Sequence, residues 1–135
     1  MRAVFADSSF WIALTSQRED RYAEAVALLQ GASGREQLIT SNHVRGETWT
    51  FLRRKRGHRG ALAVMDLLDR TRRLKIVFVS EHLEREALRW LRRHDEREYS
   101  FVDATSFALM RSLKVREALA FDGDFAAAGF VELRV

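Results

Sequence analysis

Five carboxylates, Asp7, Glu47, Asp103, Asp122 and Asp124, are the side chains of this chain whose types and spacing could do chemistry. Asp7 follows the short apolar run Ala3-Val4-Phe5-Ala6. Asp122 follows another, Ala118-Leu119-Ala120-Phe121, and Asp124 lies two residues further on. Asp103 falls in the first turn of a helix that Ser100 can open. Glu47 comes three residues after Val44 and four before Phe51, which sets it on the apolar stripe of a helix. A carboxylate there must be paired, protonated or bound to a metal, because an unpaired buried charge is too costly. Singly, each acid has a structural explanation. Asp7 could cap a helix or shape a turn, and Ser100-Phe101-Val102-Asp103 fits a capping box with Asp at its last position. Asp122-Gly123-Asp124 could be a turn with a following cap, and Glu47 could pair with Arg45 or another arginine.

The elements that must position these acids follow from periodicity and punctuation. The chain has 135 residues, no proline and seven glycines. Arg2 to Ala6 reads as a buried strand. Ser8 and Ser9 can cap a short helix over Phe10 to Leu14. Asp20 opens a helix carrying Tyr22, Val26 and Leu29, which stops at Gly31. Leu38 to Thr40 is a second strand. Ser41 and Asn42 start a helix through Val44, Thr48 and Phe51 to about Arg56, Gly57 breaks it, and another runs from Arg59 to Arg72. Ile76 to Val79 is a third strand. A helix follows through Leu83, Ala87, Trp90 and Leu91, and then one capped by Ser100. Ala118 to Phe121 and Phe130 to Val135 are the last two strands. With no repeat or linker, residues 1–135 read as one domain. Strands alternating with helices predict an α/β fold with a mostly parallel sheet of four to five strands between helical layers.

In such a sheet ligands sit beyond the carboxyl ends of the strands. The ends of the first and fourth strands would share one edge and bring the acids into one pocket. Clustered carboxylates repel each other and persist only when cations neutralise them. All-oxygen donors suit Mg²⁺ or Mn²⁺. The matching chemistry is metal-assisted phosphodiester cleavage, with one ion or two about 3.5–4 Å apart lowering the pKa of a bound water and stabilising charge on the phosphate.

Composition narrows the alternatives. With 47% hydrophobic and 31% charged residues the chain is not a disordered tail. It has no cysteine, which excludes disulfides, thiolate metal sites and cysteine nucleophiles. No apolar run is long enough for a membrane span. Asp7 comes too early for a signal peptide, so a cytoplasmic location is expected. There is no G-x-x-x-x-G-K-[ST] or G-x-G-x-x-G run for a nucleotide. A receiver-like or phosphatase-like phosphotransfer protein would want a lysine after the fourth strand, where there is none. Lys and Arg total 23 against 19 Asp and Glu, a net charge of +4. The excess concentrates at Arg45, Arg53, Arg54, Lys55, Arg56 and Arg59, beside Glu47, where RNA phosphates could run towards the acids. Trp11, Trp49 and Tyr99 could stack on an unpaired base. Arg70, Arg72, Arg73 and Lys75 form a second basic cluster with no acid of the group beside it. A non-catalytic RNA-binding module would share the basic helix but explains Glu47 poorly.

Four segments carry a family resemblance. Val4-Phe5-Ala6-Asp7-Ser8-Ser9-Phe10, Thr40-Ser41-Asn42-His43-Val44-Arg45-Gly46-Glu47, Ser100-Phe101-Val102-Asp103-Ala104 and Phe121-Asp122-Gly123-Asp124-Phe125 resemble, in order, the motifs of PIN-domain ribonucleases, the family of the VapC toxins of toxin–antitoxin systems. The resemblance implies a PIN fold and an Mg²⁺- or Mn²⁺-dependent endoribonuclease. It places Asp7, Glu47, Asp103 and Asp122 at the acidic catalytic and metal positions, Asp124 at an accessory one, and Ser9 at the supporting hydroxyl. It further implies a VapB-type antitoxin partner and a homodimer. The apolar helices Tyr22 to Leu29 and Leu62 to Leu68 could receive the antitoxin. One departure is Ala120-Phe121, where the family often has Thr or Ser before the last acidic motif; Thr105 and Ser106 are not expected to replace that hydroxyl. The stretch from His94 to Asp103, with Ala120 to Phe125, is similar to the branch that cuts the sarcin–ricin loop of 23S rRNA, whereas other VapC toxins cut tRNA.

Overall fold

A computed structural model describes residues 2–31 and 36–135. Its five strands are β1 (Ala3–Ala6), β2 (Gln37–Ser41), β3 (Leu74–Val77), β4 (Glu117–Leu119) and β5 (Val131–Glu132). They form one sheet in the order β3-β2-β1-β4-β5, and every neighbouring pair is parallel. Six helices flank it: α1 (Ser8–Ala13), α2 (Tyr22–Gly31), α3 (Asn42–Arg70), α4 (Glu81–Arg93), α5 (Phe101–Leu113) and α6 (Asp124–Ala127). From β1 the chain winds outward through β2 to β3, then returns to place β4 and β5 on the other side. The crevice outside the ends of β1 and β4 is therefore the topological switch point of the sheet, where such folds bind ligands.

Burial explains the elements. In β1, Val4, Phe5 and Ala6 are all buried, as a central parallel strand covered on both faces requires. In α5 every residue from Asp103 to Met110 is buried, so this helix runs through the core. Ala104 and Ala108 of α5 meet Ala87 of α4, and these small side chains let the two helices lie close. Phe107 stacks or packs edge-on against Trp90, Tyr99, Phe125 and Phe130, which ties α4, α5 and α6 together. Such aromatic pairs add about 0.5–1.5 kcal/mol each beyond their burial.

Several boundaries differ from the sequence reading. Gly57 breaks α3 as expected: at φ 75° and ψ −175° it lies outside the helical region, and the span is two helical arms joined there. The helix expected from Asp20 begins at Tyr22, because residues before it form a turn closed by the Tyr22 N–H on the Glu19 carbonyl at 3.0 Å. Strand β3 lies two residues earlier than expected, since its pairing with β2 runs from Leu74 to Val77. Strand β4 stops at Leu119 rather than Phe121, and β5 covers only Val131–Glu132. Helix α6 was not expected from the sequence; it is a single turn after Gly123. The cap of α1 is Asp7, not Ser8 or Ser9.

Candidate active site

Asp7 is fixed by the sheet itself. Its backbone N–H donates to the Leu119 carbonyl at 3.0 Å, which extends the β1–β4 pairing into the acid. Its Oδ2 accepts the Ser9 backbone N–H at 3.3 Å and the Ser9 hydroxyl at 2.9 Å. The Ser9 oxygen in turn accepts the Phe121 N–H at 3.1 Å. Ser9 thus ties the exit of β1 to the exit of β4, and supplies a hydroxyl at the Ala120-Phe121 segment where the chain itself lacks one. Of the nearby candidates, Thr105 donates to the Val102 carbonyl, and the buried Ser106 hydroxyl has no partner among the described residues. The other carboxylate oxygen of Asp7, Oδ1, is buried without a hydrogen bond among the described residues.

Glu47 faces this group from α3. Its Oε1 accepts the Ser8 hydroxyl at 2.7 Å. The expected alternative, pairing with Arg45 or another arginine, is not found among the described residues. Arg45 instead lies over the ring of Phe78. Ser8, read from the sequence as a cap, is thus a positioning group for Glu47, and the adjacent pair Ser8-Ser9 serves two different acids. The signal was present in the sequence as two hydroxyls beside Asp7, but only the fold shows which acid each one reaches.

Asp103, Asp122 and Asp124 converge: one carboxylate oxygen from each lies within 4.8 Å of the others. The capping box at Ser100 is present, with the Ser100 N–H on Asp103 Oδ2 and the Asp103 N–H on the Ser100 hydroxyl. The structural reading of Asp103 was therefore correct, and it is compatible with membership of the triplet. The Asp124 N–H donates to Asp122 Oδ1 at 3.2 Å, the expected turn. Asp7 and Glu47 lie outside the tight triplet, but Asp7 feels the charges of Asp122 and Asp103. Burial, then the Asp122 charge, pushes the Asp7 carboxyl up to about 8 against the hydrogen bond from Ser9. Burial, aided by the charges of Asp124 and Asp122, pushes Asp103 up to about 7. Asp122 is raised by desolvation and by Asp124.

This arrangement fits a hard divalent cation. The donors are all oxygens, three converge, and Asp7 keeps a buried oxygen that no group among the described residues satisfies. Arg97 is a residue the sequence reading missed. Its Nε donates to Asp124 Oδ1 at 2.6 Å and its Nη2 to the Asp122 carbonyl at 3.0 Å. In the run Asp95-Glu96-Arg97-Glu98 it looks like part of a solvated charge cluster.

The PIN domain family model matches residues 4–131. This chain is a PIN-domain protein. It is 52% identical over 131 residues to the 23S rRNA-specific endonuclease VapC20 of Mycobacterium tuberculosis, from both the CDC 1551 and H37Rv strains, covering 97% of this chain and 98% of the relative. The crystal structure of M. tuberculosis VapC20, described as a sarcin–ricin-loop-cleaving toxin, superposes with a TM-score of 0.90 at 52% identity, covering 98% of this chain and 99% of that one.

Around the acids of this PIN domain, the basic residues divide. Arg53, Arg54 and Arg59 are exposed. Arg54 lines an open groove with His43, Glu47, Phe51 and Val102, so it connects the helix surface to an acid of the group. Lys55 and Arg56 both bind Glu19, with the lysine at 2.8 Å, and Arg56 is half-buried. Their charge is therefore largely answered within the fold. In the second cluster, Arg73 is half-buried and donates to the Leu29 carbonyl, a structural use. The stacking role open to Trp11 is excluded and the alternative, a core position, holds: it is completely buried beside Phe10. Trp49 and Tyr99 are half-buried, Trp49 edge-on to His58 and Tyr99 edge-on to Trp90. The exposed aromatics are Phe51, Phe78 and Phe101. His43 lies 3.7 Å from Glu84 and against Phe101. Of the two apolar helices, α2 packs Ala25, Leu28 and Leu29 on the core, and Val64 and Leu68 of α3 are buried while Leu62 is exposed.

Proposed function

We propose that this chain is a single-domain endoribonuclease toxin of the VapC type that cleaves the sarcin–ricin loop of 23S rRNA in the cytoplasm and so stops translation. The observation that carries the reading is the convergence of Asp103, Asp122 and Asp124 beside Asp7 at the switch point of the sheet. The substrate follows from near-full-length identity to VapC20, which is named for that activity. Asp7, Glu47, Asp103, Asp122 and Asp124 are the proposed catalytic and metal-holding residues, with Mg²⁺ or Mn²⁺ as the ion. Bound there, the ion supplies charge stabilisation at the scissile phosphate and a water of lowered pKa.

The chain's own groups do the rest. Ser9 holds Asp7 and the Phe121 backbone at a fixed separation. Ser8 holds the Glu47 carboxylate at the start of α1, next in sequence to Asp7. Arg53, Arg54 and Arg59 attract the RNA backbone, and Arg54 lies where that path meets Glu47. A VapB-type antitoxin and a homodimer complete the proposed biology.

Mapping new RNA 5′ ends after brief expression, with an Asp7→Asn control, tests the reading. One dominant end in the sarcin–ricin loop, absent in the control, is the expected result. Ends confined to tRNA would reassign the substrate, and no new end would return the chain to a binding module. Chelation by EDTA is expected to stop cleavage of the purified loop RNA. Ser8→Ala is expected to slow cleavage about tenfold, the usual effect of releasing a group that orients a ligand. Its Tm should change little, since Ser8 does not cap α1. An undiminished rate would show that Glu47 needs no such support.

A further inference from the structure

Arg97 stands against two of the three converging acidic segments, and nothing in the proposed chemistry requires a cation of the chain there. It lies in the connection between α4 and α5, six residues before Asp103. Its guanidinium uses Nε on Asp124 Oδ1 and Nη2 on the Asp122 carbonyl. The opposing loop is shaped to receive it. Gly123 has φ +83°, and a Cβ there would come within 3.1 Å of Arg97 Nη2. The contact therefore rests on both sides: an arginine that reaches across, and a residue without a side chain where it lands. Asp124 is also one of the three carboxylates whose oxygens converge, so one of the carboxylates that would serve an ion already faces a guanidinium.

A charge-assisted hydrogen bond at 2.6 Å and a divalent ion are rival claims on one carboxylate. We propose that Arg97 is a resident counter-cation that competes with the divalent ion for Asp124 and thereby sets the ion concentration at which the site fills. This rests on the proposed reading of the acids as ion ligands. Arg97 acts through Asp124 and is a positioning residue. A merely structural arginine would, on removal, leave ion affinity unchanged or loosen the loop and weaken it. A competitor, on removal, strengthens it.

The sign of the change is the test. Metal-free wild type, R97Q, R97M and R97K are titrated with MnCl₂ by calorimetry at low ionic strength and fixed pH, with circular dichroism to confirm the fold. R97Q and R97M are expected to bind Mn²⁺ about three- to tenfold more tightly than wild type, the range for a half-exposed charge-assisted pair. R97K, which keeps the charge, is expected to stay near wild type. In a D124N background R97Q is expected to change nothing, because the contested carboxylate is gone. Unchanged or weaker Mn²⁺ binding in the folded neutral variants, or a gain that persists without Asp124, overturns the competition while leaving the ion site standing. Absence of Mn²⁺ binding in every variant overturns the ion site as well.

Discussion

Asp7→Asn is expected to abolish RNA cleavage and to stabilise the metal-free protein. The two effects have one cause. Asp7 is 1% exposed, and one of its oxygens has no partner among the described residues. Its burial and the nearby Asp122 raise its pKa from 3.8 to about 8. In the unfolded chain the same group ionises near its ordinary value. Below about pH 4 both states hold the proton and Asp7 does not bias folding. Between about pH 4 and pH 8 the unfolded chain releases a proton that the folded chain retains, so stability falls as pH rises. Above that window the loss is constant. Asp103, raised to about 7, adds to the same trend over a narrower range. Asparagine cannot ionise, yet its carbonyl can accept both Ser9 bonds, so the cap of α1 survives. In EDTA the variant should match wild type near pH 4 and exceed it by about 2–4 kcal/mol at pH 8. That is a Tm difference of about 5–15 °C for a domain of this size. Mn²⁺ at pH 8 should raise the wild-type Tm and leave the variant nearly unmoved if, as proposed, the ion is held by the folded form through the ionised group. Cleavage should drop at least about 10²–10³-fold, the loss usual for removing a group that stabilises developing charge. Equal Tm values at both pH values, or retained cleavage, would remove Asp7 from the ion site.

What made this site legible was position relative to the strands. Asp7 and Asp122 each follow an apolar run, and a parallel sheet brings the ends of such runs to one edge. Asp103 could be read because the Ser100 capping box fixes the start of α5, and with it the turn that carries the acid. The Gly57 break was legible as a glycine after a long polar run, and the structure uses its positive φ, while Gly46 and Gly60 of the same span do not interrupt it. The hydroxyl assignments were not, because choosing between Asp7 and Glu47 for Ser8 needs the packing of α1 against α3, which no local pattern encodes. Arg97 was hidden by its acidic sequence neighbours: its partner Asp124 is 27 residues away. Trp11 left two readings open. An aromatic near a nucleic-acid site invites a stacking role, but α1 is short and turns that ring into the core.

Reversing Arg53 and Arg54 together to Glu is expected to cause the largest loss of RNA affinity available without touching an acid. Both are exposed on the first arm of α3, and no ion pair engages either among the described residues. Each phosphate contact removed should flatten the dependence of log affinity on log salt by about 0.7–0.9, so the pair predicts a slope shallower by about 1.4–1.8. Repulsion from the new carboxylates should add to the loss, for a total of about 10–100-fold near 0.1 M salt. Fluorescence anisotropy of a sarcin–ricin hairpin RNA measures both quantities, with Asp7→Asn in every protein so that the RNA stays intact. The control lies on the same helix. Lys55 contacts Glu19, so Lys55→Gln removes a charge already largely neutralised and should change the slope by less than half as much as either arginine alone. If all three positions contribute equally, the path of the RNA is set by net charge, and the partition made by Glu19 has no bearing on it. If the arginines alone shift the slope, the backbone runs along the Arg53–Arg54 edge, and Arg54 is the point at which it enters the groove beside Glu47.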